Sequence, residues 1–436
     1  MGVTRRCFAL AQSGPEPLLE QTKAVGHPVS EAEGSNSRVG EQLAPADIVI
    51  IGAGLAGSLA ALILARRSMR VTVIDRHKVY PPEFRCEKLS PAQIELMRNM
   101  GVLGCLSDVT QTFNRILVVR GGKSVSVQRQ EERGLTYSDM VNKFREAWPA
   151  NASFIEGNVV QVETDGDRQR IALGDGRVLE ARLVVLATGL ADKLRTALGF
   201  KRHIIRRMHS FCLGFSVAPA AGERFAFESM TYFGEKAGDR IGYATFFPIA
   251  QGMRVNLFSY HEKQEPWLNE VQRDPIGKLR EVMPNLTRHL GDFHLVTPVE
   301  VRPINLYEMQ GQHSDGIVLI GDAFRSSCPA TGAGVTRLLT DVQQLCLVHI
   351  PRWFASAGMD AGKIASFYDD PIKQACDRHS ARSAERGRDL ALKKGLRWRL
   401  ERGLLTLADH FPMIRRLARR RHGHAALRNG ARQTMT

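Results

Sequence analysis

The tightest constraint on how this chain folds lies between Asp47 and Asp75. Asp47-Ile48-Val49-Ile50-Ile51 is a short β-branched run of the kind that fills a buried parallel strand, and it leads directly into Gly52-Ala53-Gly54-Leu55-Ala56-Gly57. An apolar helix is expected over Ser58 to Arg67. Val71-Thr72-Val73-Ile74-Asp75 then supplies a second strand, ending in a carboxylate 23 positions after Gly52. The three glycines act differently. The first permits the tight turn, the second lets the backbone approach a pyrophosphate, and the third lets the helix pack closely on the strand. The helix N-terminus faces the phosphates, and the terminal acid stands where a ribose hydroxyl needs an acceptor. Gly52, Ala53, Gly54, Gly57, Asp75 and the adjoining Arg76 are therefore candidate contacts to a dinucleotide. Asp75 favours a free ribose over a 2′-phosphate, which leaves FAD or NAD.

Far downstream, Asp315-Gly316-Ile317-Val318-Leu319-Ile320-Gly321-Asp322-Ala323 reads as another buried strand breaking at Gly-Asp. Pro329-Ala330-Thr331-Gly332-Ala333-Gly334 and an apolar helix through Leu345 follow. Such a loop-to-helix junction offers backbone N–H groups to an anion. The string GDAxxxxxPxxGxGxxxxxxD resembles the C-terminal FAD signature of the para-hydroxybenzoate hydroxylase-like flavoproteins, which include aromatic and ubiquinone-pathway monooxygenases and geranylgeranyl reductases. The resemblance spans about residues 46 to 380 and implies that Asp322 holds a hydroxyl of the ribityl chain. It also implies that Pro329, Gly332, Ala333 and Gly334 line the isoalloxazine. Arg85, ahead of a helix expected over Pro91 to Met100, takes the place of the family's phosphate-binding arginine.

The middle of the chain departs further from that pattern. Leu186-Ala187-Thr188-Gly189-Leu190-Ala191-Asp192-Lys193-Leu194-Arg195 matches the spacing of the family's GADGxxSxxR segment, with Gly189 as a cofactor contact and Thr188 in place of an aspartate. Tyr137 stands where relatives often carry an arginine, before a helix expected over Ser138 to Ala147. Ser153 to Thr164 and Gln169 to Leu173, with a Gly174-Asp175-Gly176 turn, read as a hairpin. By resemblance its first strand borders the adenine, which makes Val159 a backbone candidate.

From Phe211 to Phe258 apolar and polar residues alternate around turns, the pattern of an antiparallel sheet. Family members roof the flavin with such a sheet, and the aromatic residues here would suit an apolar substrate. Tyr232, Tyr243 and His261 are the candidate catalytic side chains. His203 and His209 join His261 as candidate acids or bases, but no spacing marks a metal site or a catalytic triad. Seven scattered cysteines contain no pair at metal or redox spacing, although Cys86 and Cys328 both flank cofactor contacts.

The net charge of +15 would raise nucleic acid as a partner if it were spread evenly. From Arg382 onward there are fifteen lysines and arginines against four acids, so the excess is local and nucleic acid is not expected. In this region Leu396, Leu400, Leu404, Leu407, Ala408 and Phe411 recur at helical spacing, with Lys394, Arg397, Arg399 and Arg402 largely on other faces. A second stretch, Met413 to Arg421, repeats the combination beyond Pro412. Both resemble helices that lie on an anionic membrane surface, the alternative being helices packed on the protein's own body or a twin subunit. No apolar run approaches the ~20 residues needed to span a bilayer.

These readings define the expected fold. It is α/β, with a Rossmann-type, glutathione-reductase-like FAD domain from 46–200 and 300–350. An antiparallel-sheet substrate domain over 201–299 is inserted into it. A disordered extension over 1–45 precedes these segments, and a basic helical region over 351–436 follows. The resemblance implies a monooxygenase that hydroxylates an apolar, aromatic or lipid-like substrate through a flavin hydroperoxide. NADH or NADPH, or a separate flavin-reducing partner, would supply electrons. An FAD-dependent reductase of isoprenoid or lipid double bonds and a non-catalytic redox-sensing flavoprotein remain open. The expected location is cytoplasmic, at the inner face of a membrane.

Overall fold

The computed structural model describes residues 41–410 apart from 86, 221–223 and 312–313. Its first sheet is built on Ala46–Ile51, which pairs in parallel with Val71–Asp75 on one side and Val178–Leu186 on the other. Ala152–Glu156 extends the parallel run beyond Val71–Asp75, and Ile317–Leu319 joins it alongside Val184–Leu186. Strands covered on both faces need continuous apolar sequence, and Ile48, Val49, Ile50, Leu183, Val184 and Val185 are all fully buried. The helix Leu55–Ala65 starts three residues earlier than expected, from an extended Gly54, and is buried along its whole length.

The hairpin expected between 153 and 176 is corrected. Gly157 and Asn158 break the first run, so Ala152–Glu156 joins the parallel strands. Val159–Thr164 pairs antiparallel with Gln169–Leu173 through a turn over 165–168, where Asp165 accepts from the backbone of Asp167 and Arg168. The Gly174–Gly176 turn instead leads into Val178–Leu186, with Gly176 at φ +91°. At the start of the described chain, Glu41 and Leu43 bond to the backbone of Val178. Residues 1–40 of the extension expected over 1–45 lie outside the described residues.

Among the described residues the second sheet has nine strands. Lys201–Pro219, Gly252–Ser259, Ile241–Ile249 and Ser229–Phe233 are antiparallel neighbours, as the alternation predicts. Ser229–Phe233 then runs parallel to Gln111–Arg120, whose antiparallel partner is Lys123–Gly134, so the sheet is mixed. Residues 111–134, which fall within the stretch assigned to nucleotide binding, thus complete this sheet. Glu300–Gln310 pairs with Lys201–Gly214 in the same layer.

Alternation sorts the second sheet's side chains between its faces. Phe211, Leu213, Phe215, Ala244, Phe246, Val255 and Leu257 form one core with Trp267, Leu268, Val271, Leu279 and Val282 of two short helices. Cys212 and Phe258 pack in a different cluster with Phe84, Tyr243 and Ala330. A register shift between Ile241 and Tyr243 turns Tyr243 away from the core that Ile241 joins.

The helix Pro371–Leu392 lies on Ala333–Gln344, and Leu396–His410 follows it against the Lys123–Gly134 strand. Phe411 and the second basic stretch, Met413 to Arg421, lie outside the described residues. Among the described residues no helix is long and apolar enough to cross a membrane.

Candidate functional site

The turn after the first strand is as tight as its glycines imply. Gly52 has φ +98°, and a Cβ there would lie 2.6 Å from the Ala187 carbonyl oxygen. A Cβ on Gly57 would lie 1.9 Å from the Gly52 carbonyl oxygen, closer than any side chain could be accommodated. At Gly54 the nearest atom to such a Cβ is the Tyr137 hydroxyl at 3.7 Å, so the backbone stays open to a ligand on that side. The amide of Ala53 donates to Asp75 Oδ2 at 2.6 Å, and His77 donates to Oδ1 at 3.0 Å. Asp75 is thereby aimed across the glycine loop, and Arg76 beside it is exposed. Gly157 donates to the Asp75 carbonyl at 2.9 Å, which brings the buried start of Val159–Thr164 to the same end of the sheet.

The two remote anchors meet. Arg85 Nη1 lies 3.5 Å from Asp322 Oδ2, and its Nε donates to Glu83 at 2.8 Å. Tyr137 receives the Leu55 amide at 3.3 Å on its hydroxyl, and the Arg85 guanidinium lies 5.7 Å from its ring centre. A single cluster of Gly54, Tyr137, Arg85 and Asp322 therefore joins residues up to 268 positions apart in the chain. Burial works to raise the Glu83 carboxyl, but hydrogen bonds from Arg85, Tyr80 and Arg302 outweigh it and hold it at about 2. Burial likewise lifts the Tyr137 hydroxyl to about 12, so it stays protonated.

The segment around Gly189 supports the second anchor. Gly189 has φ +58°, and the first glycine of the loop packs on Ala187 just before it. Arg195, fully buried, donates to the Asp322 carbonyl at 3.2 Å and pairs with Asp192 at 3.2 Å. Tyr307 donates its hydroxyl to the same carbonyl at 2.6 Å. Gly321 is clamped from both sides: its amide donates to Asp341 at 2.9 Å, and its carbonyl receives Arg337 at 3.2 Å. Asp341 is the last residue of the downstream string.

Beyond that anchor, Pro329–Thr331 makes one tight turn and Gly332, at φ +65°, starts the helix Ala333–Gln344. Nothing lies within 4 Å of a Cβ built on Gly332, so a flat ring has room above this loop. Gln93, buried on the helix Pro91–Asn99, donates to the Gly332 carbonyl at 2.8 Å while its Oε1 caps its own helix at Ser90. The glycine turn, the αL loop start and the Arg85–Asp322 pair together suit a dinucleotide carrying a flat ring system. Tyr137, Arg145 and Gln93 lie outside the glycine motifs. Arg145 donates to the Ala53 carbonyl at 3.0 Å and to His77 and Lys78 carbonyls. Tyr137 stood out by its position ahead of a helix, and the Ser90-x-x-Gln93 capping spacing was a sign for Gln93.

Of the candidate catalytic side chains, Tyr243 reaches this loop: its hydroxyl donates to the Ala330 carbonyl at 2.5 Å. Phe258 packs beside it at 4.7 Å, and Phe233 lies 5.6 Å away. Phe84 lies against Gly214, where a Cβ would meet its ring at 2.4 Å. A buried ion pair, Arg254 to Glu87 at 2.7 Å, borders Phe84. Tyr232 instead gives its hydroxyl to Glu235 within the other core, and His261 bonds Ser259 at 2.6 Å while stacking on Trp267 at 4.1 Å. Neither is brought to the loop by these contacts. His203 is exposed on the Lys201–Pro219 strand, and His209 packs edge-on to Tyr260. Cys328 is buried beside Ser210, and burial pushes its thiol up. Cys86 lies outside the described residues.

A family model described as "FAD binding domain" matches residues 45–348. Squalene monooxygenase of Rattus norvegicus is 24% identical over 355 residues, covering 74% of this chain and 58% of that protein. Digeranylgeranylglycerophospholipid reductase of Methanocaldococcus jannaschii is 23% identical over 311 residues, covering 66% and 73%. The chain thus spans under two thirds of the length of the squalene monooxygenase it matches. The crystal structure of p-nitrophenol 4-monooxygenase PnpA from Pseudomonas putida DLL-E4 superposes with a TM-score of 0.70 at 15% identity, over 87% of this chain and 97% of that one. That likeness establishes the fold.

Proposed function

The chain belongs to the FAD binding domain family, and from that premise we propose that it is an FAD-dependent monooxygenase acting on an apolar, aromatic or lipid-like substrate. The observation that carries the reading is the wall of Tyr243, Phe258, Phe84 and Cys212 packed against Ala330, beside the loop that would hold the flavin ring. Gly52, Gly54 and the helix behind them would hold the pyrophosphate, Asp75 a ribose hydroxyl, and Arg85 with Asp322 the chain between the two halves. When bound and reduced, FAD supplies two electrons to dioxygen, so that one oxygen atom enters the substrate and the other leaves as water.

The chain's own residues orient and exclude. Tyr243 holds the Ala330 carbonyl through its hydroxyl, which burial keeps protonated, and so fixes the height of the loop beneath the substrate. Phe84 and Phe258 keep water from the reacting face. Burial raises the Cys212 thiol well above its ordinary range, so at neutral pH it is an uncharged part of that wall and not a nucleophile. The names of the relatives, squalene monooxygenase and digeranylgeranylglycerophospholipid reductase, support a prenyl or other lipid-like molecule as substrate. The second of them also favours an alternative, reduction of isoprenoid double bonds. NADH, NADPH or a separate reducing partner would deliver the electrons.

Isotopically labelled dioxygen distinguishes the readings. With prenyl lipids, phenols and quinone precursors as a panel, oxygen uptake should depend on one substrate class and the label should appear in its product. A product that gains two hydrogens and no label selects the reductase. Uptake that yields only peroxide with every candidate rejects the monooxygenase.

A further inference from the structure

The helix Leu396–His410 is oriented the wrong way round for a surface helix in water. Two of its charged side chains turn inward: Asp409, buried, pairs with Arg120 at 2.7 Å, and Arg402 donates to the Leu390 and Lys393 carbonyls at 2.9 and 3.0 Å. Its leucines turn outward, with Leu396 73%, Leu400 60%, Leu404 64% and Leu407 52% exposed. At 3.6 residues per turn these four fall within an arc of about 80°. An ordinary amphipathic surface helix buries that stripe.

The stripe is edged with positive charge. Arg397 and Arg399 flank the leucines, Lys393 and Lys394 precede them, and all four are exposed. In sequence the helix is followed by residues 411–436, which hold seven arginines and no aspartate or glutamate. We propose that this face docks the protein on an anionic lipid bilayer, with the leucines among the acyl chains and the arginines at the headgroups. A second copy of the chain fits less well, because a two-fold contact through the same face would bring arginine edges together. The helix is also close to the site. Asp409 holds Arg120, whose guanidinium lies 3.5 Å over the Phe233 ring, and Phe233 touches Tyr243. A docked helix therefore brings the aromatic wall near the lipid phase. Docking itself stands or falls independently of the reaction proposed above.

Flotation of full-length holoprotein tests it, using vesicles of phosphatidylcholine alone and of phosphatidylcholine with phosphatidylglycerol in equal parts. The protein should float with the anionic vesicles and not with the neutral ones. Leu400→Gln, Leu404→Gln and Leu407→Gln combined should lower the partition coefficient more than about a hundredfold, and Arg397→Gln or Arg399→Gln about fivefold each. Flavin content and the urea midpoint should not move, since these side chains are exposed. Flotation of the triple variant equal to the parent overturns the proposal. So does a parent that stays unbound while forming a dimer that the triple variant breaks.

Discussion

A Cβ on Gly57 would sit 1.9 Å from the Gly52 carbonyl oxygen, and neither atom can retreat without opening the turn that would hold the pyrophosphate. Gly57→Ala should therefore destabilise the holoprotein by at least about 3 kcal/mol and strip it of flavin. Gly104→Ala, with nothing within 4 Å of the new methyl group, should change neither. Flavin absorbance per chain reads both outcomes, and a fully flavinated Gly57→Ala protein would remove the role given to that turn. The buried histidines set a pH limit. Burial depresses His209 and His261 from their ordinary value of 6.5 to about 4. Between those values the unfolded chain binds more protons than the folded one, so stability is full above pH 6.5 and falls as pH drops towards 4. The loss at pH 5 should be at most ~2 kcal/mol per histidine, and His209→Phe should flatten the pH dependence of the urea midpoint. At this scale the glycines and Asp75 were legible because the backbone itself demands them. Tyr137 was marked only by its place ahead of a helix, and Arg145 and Gln93 were not legible, since their places depend on which helix the fold lays beside the loop.

Among the elements, the pairing of Ala333–Gln344 with Pro371–Leu392 carries the heaviest buried charge. Lys373, 1% exposed, bonds Asp341 at 2.9 Å and Asp377 at 3.0 Å, while Arg337 bonds Asp377 at 2.6 Å. Because Asp341 and Arg337 also clamp Gly321, this network sets the position of the downstream anchor. Lys373→Ala leaves two buried carboxylates with one arginine, which should cost about 3–5 kcal/mol. A shift in urea unfolding below about 1 kcal/mol would show the network to be dispensable. Strand and helix periods were readable wherever apolar runs were long, as in Val71–Asp75 and Pro91–Asn99. Partner choice was not. Residues 152–156 and 159–164 read as one strand, and although Gly157-Asn158 is a local break signal, nothing near it says that the two halves take different neighbours.

For the whole molecule, an α/β fold with a second sheet was legible in the sequence, while the place of residues 111–134 in that second sheet was not. A strand that joins a sheet through a parallel partner more than 100 residues away leaves no trace in its own composition. Two distant segments meet at Gly54, Tyr137, Arg85 and Asp322, where they would close on one dinucleotide. Equilibrium titration of the apoprotein with FAD and with NAD, in parent and Arg85→Ala forms, tests that most directly. The account predicts one FAD per chain, no competition from NAD, and affinity for FAD at least about tenfold weaker in the variant. Protein that stays colourless in excess FAD, or that takes NAD equally well, would contradict it.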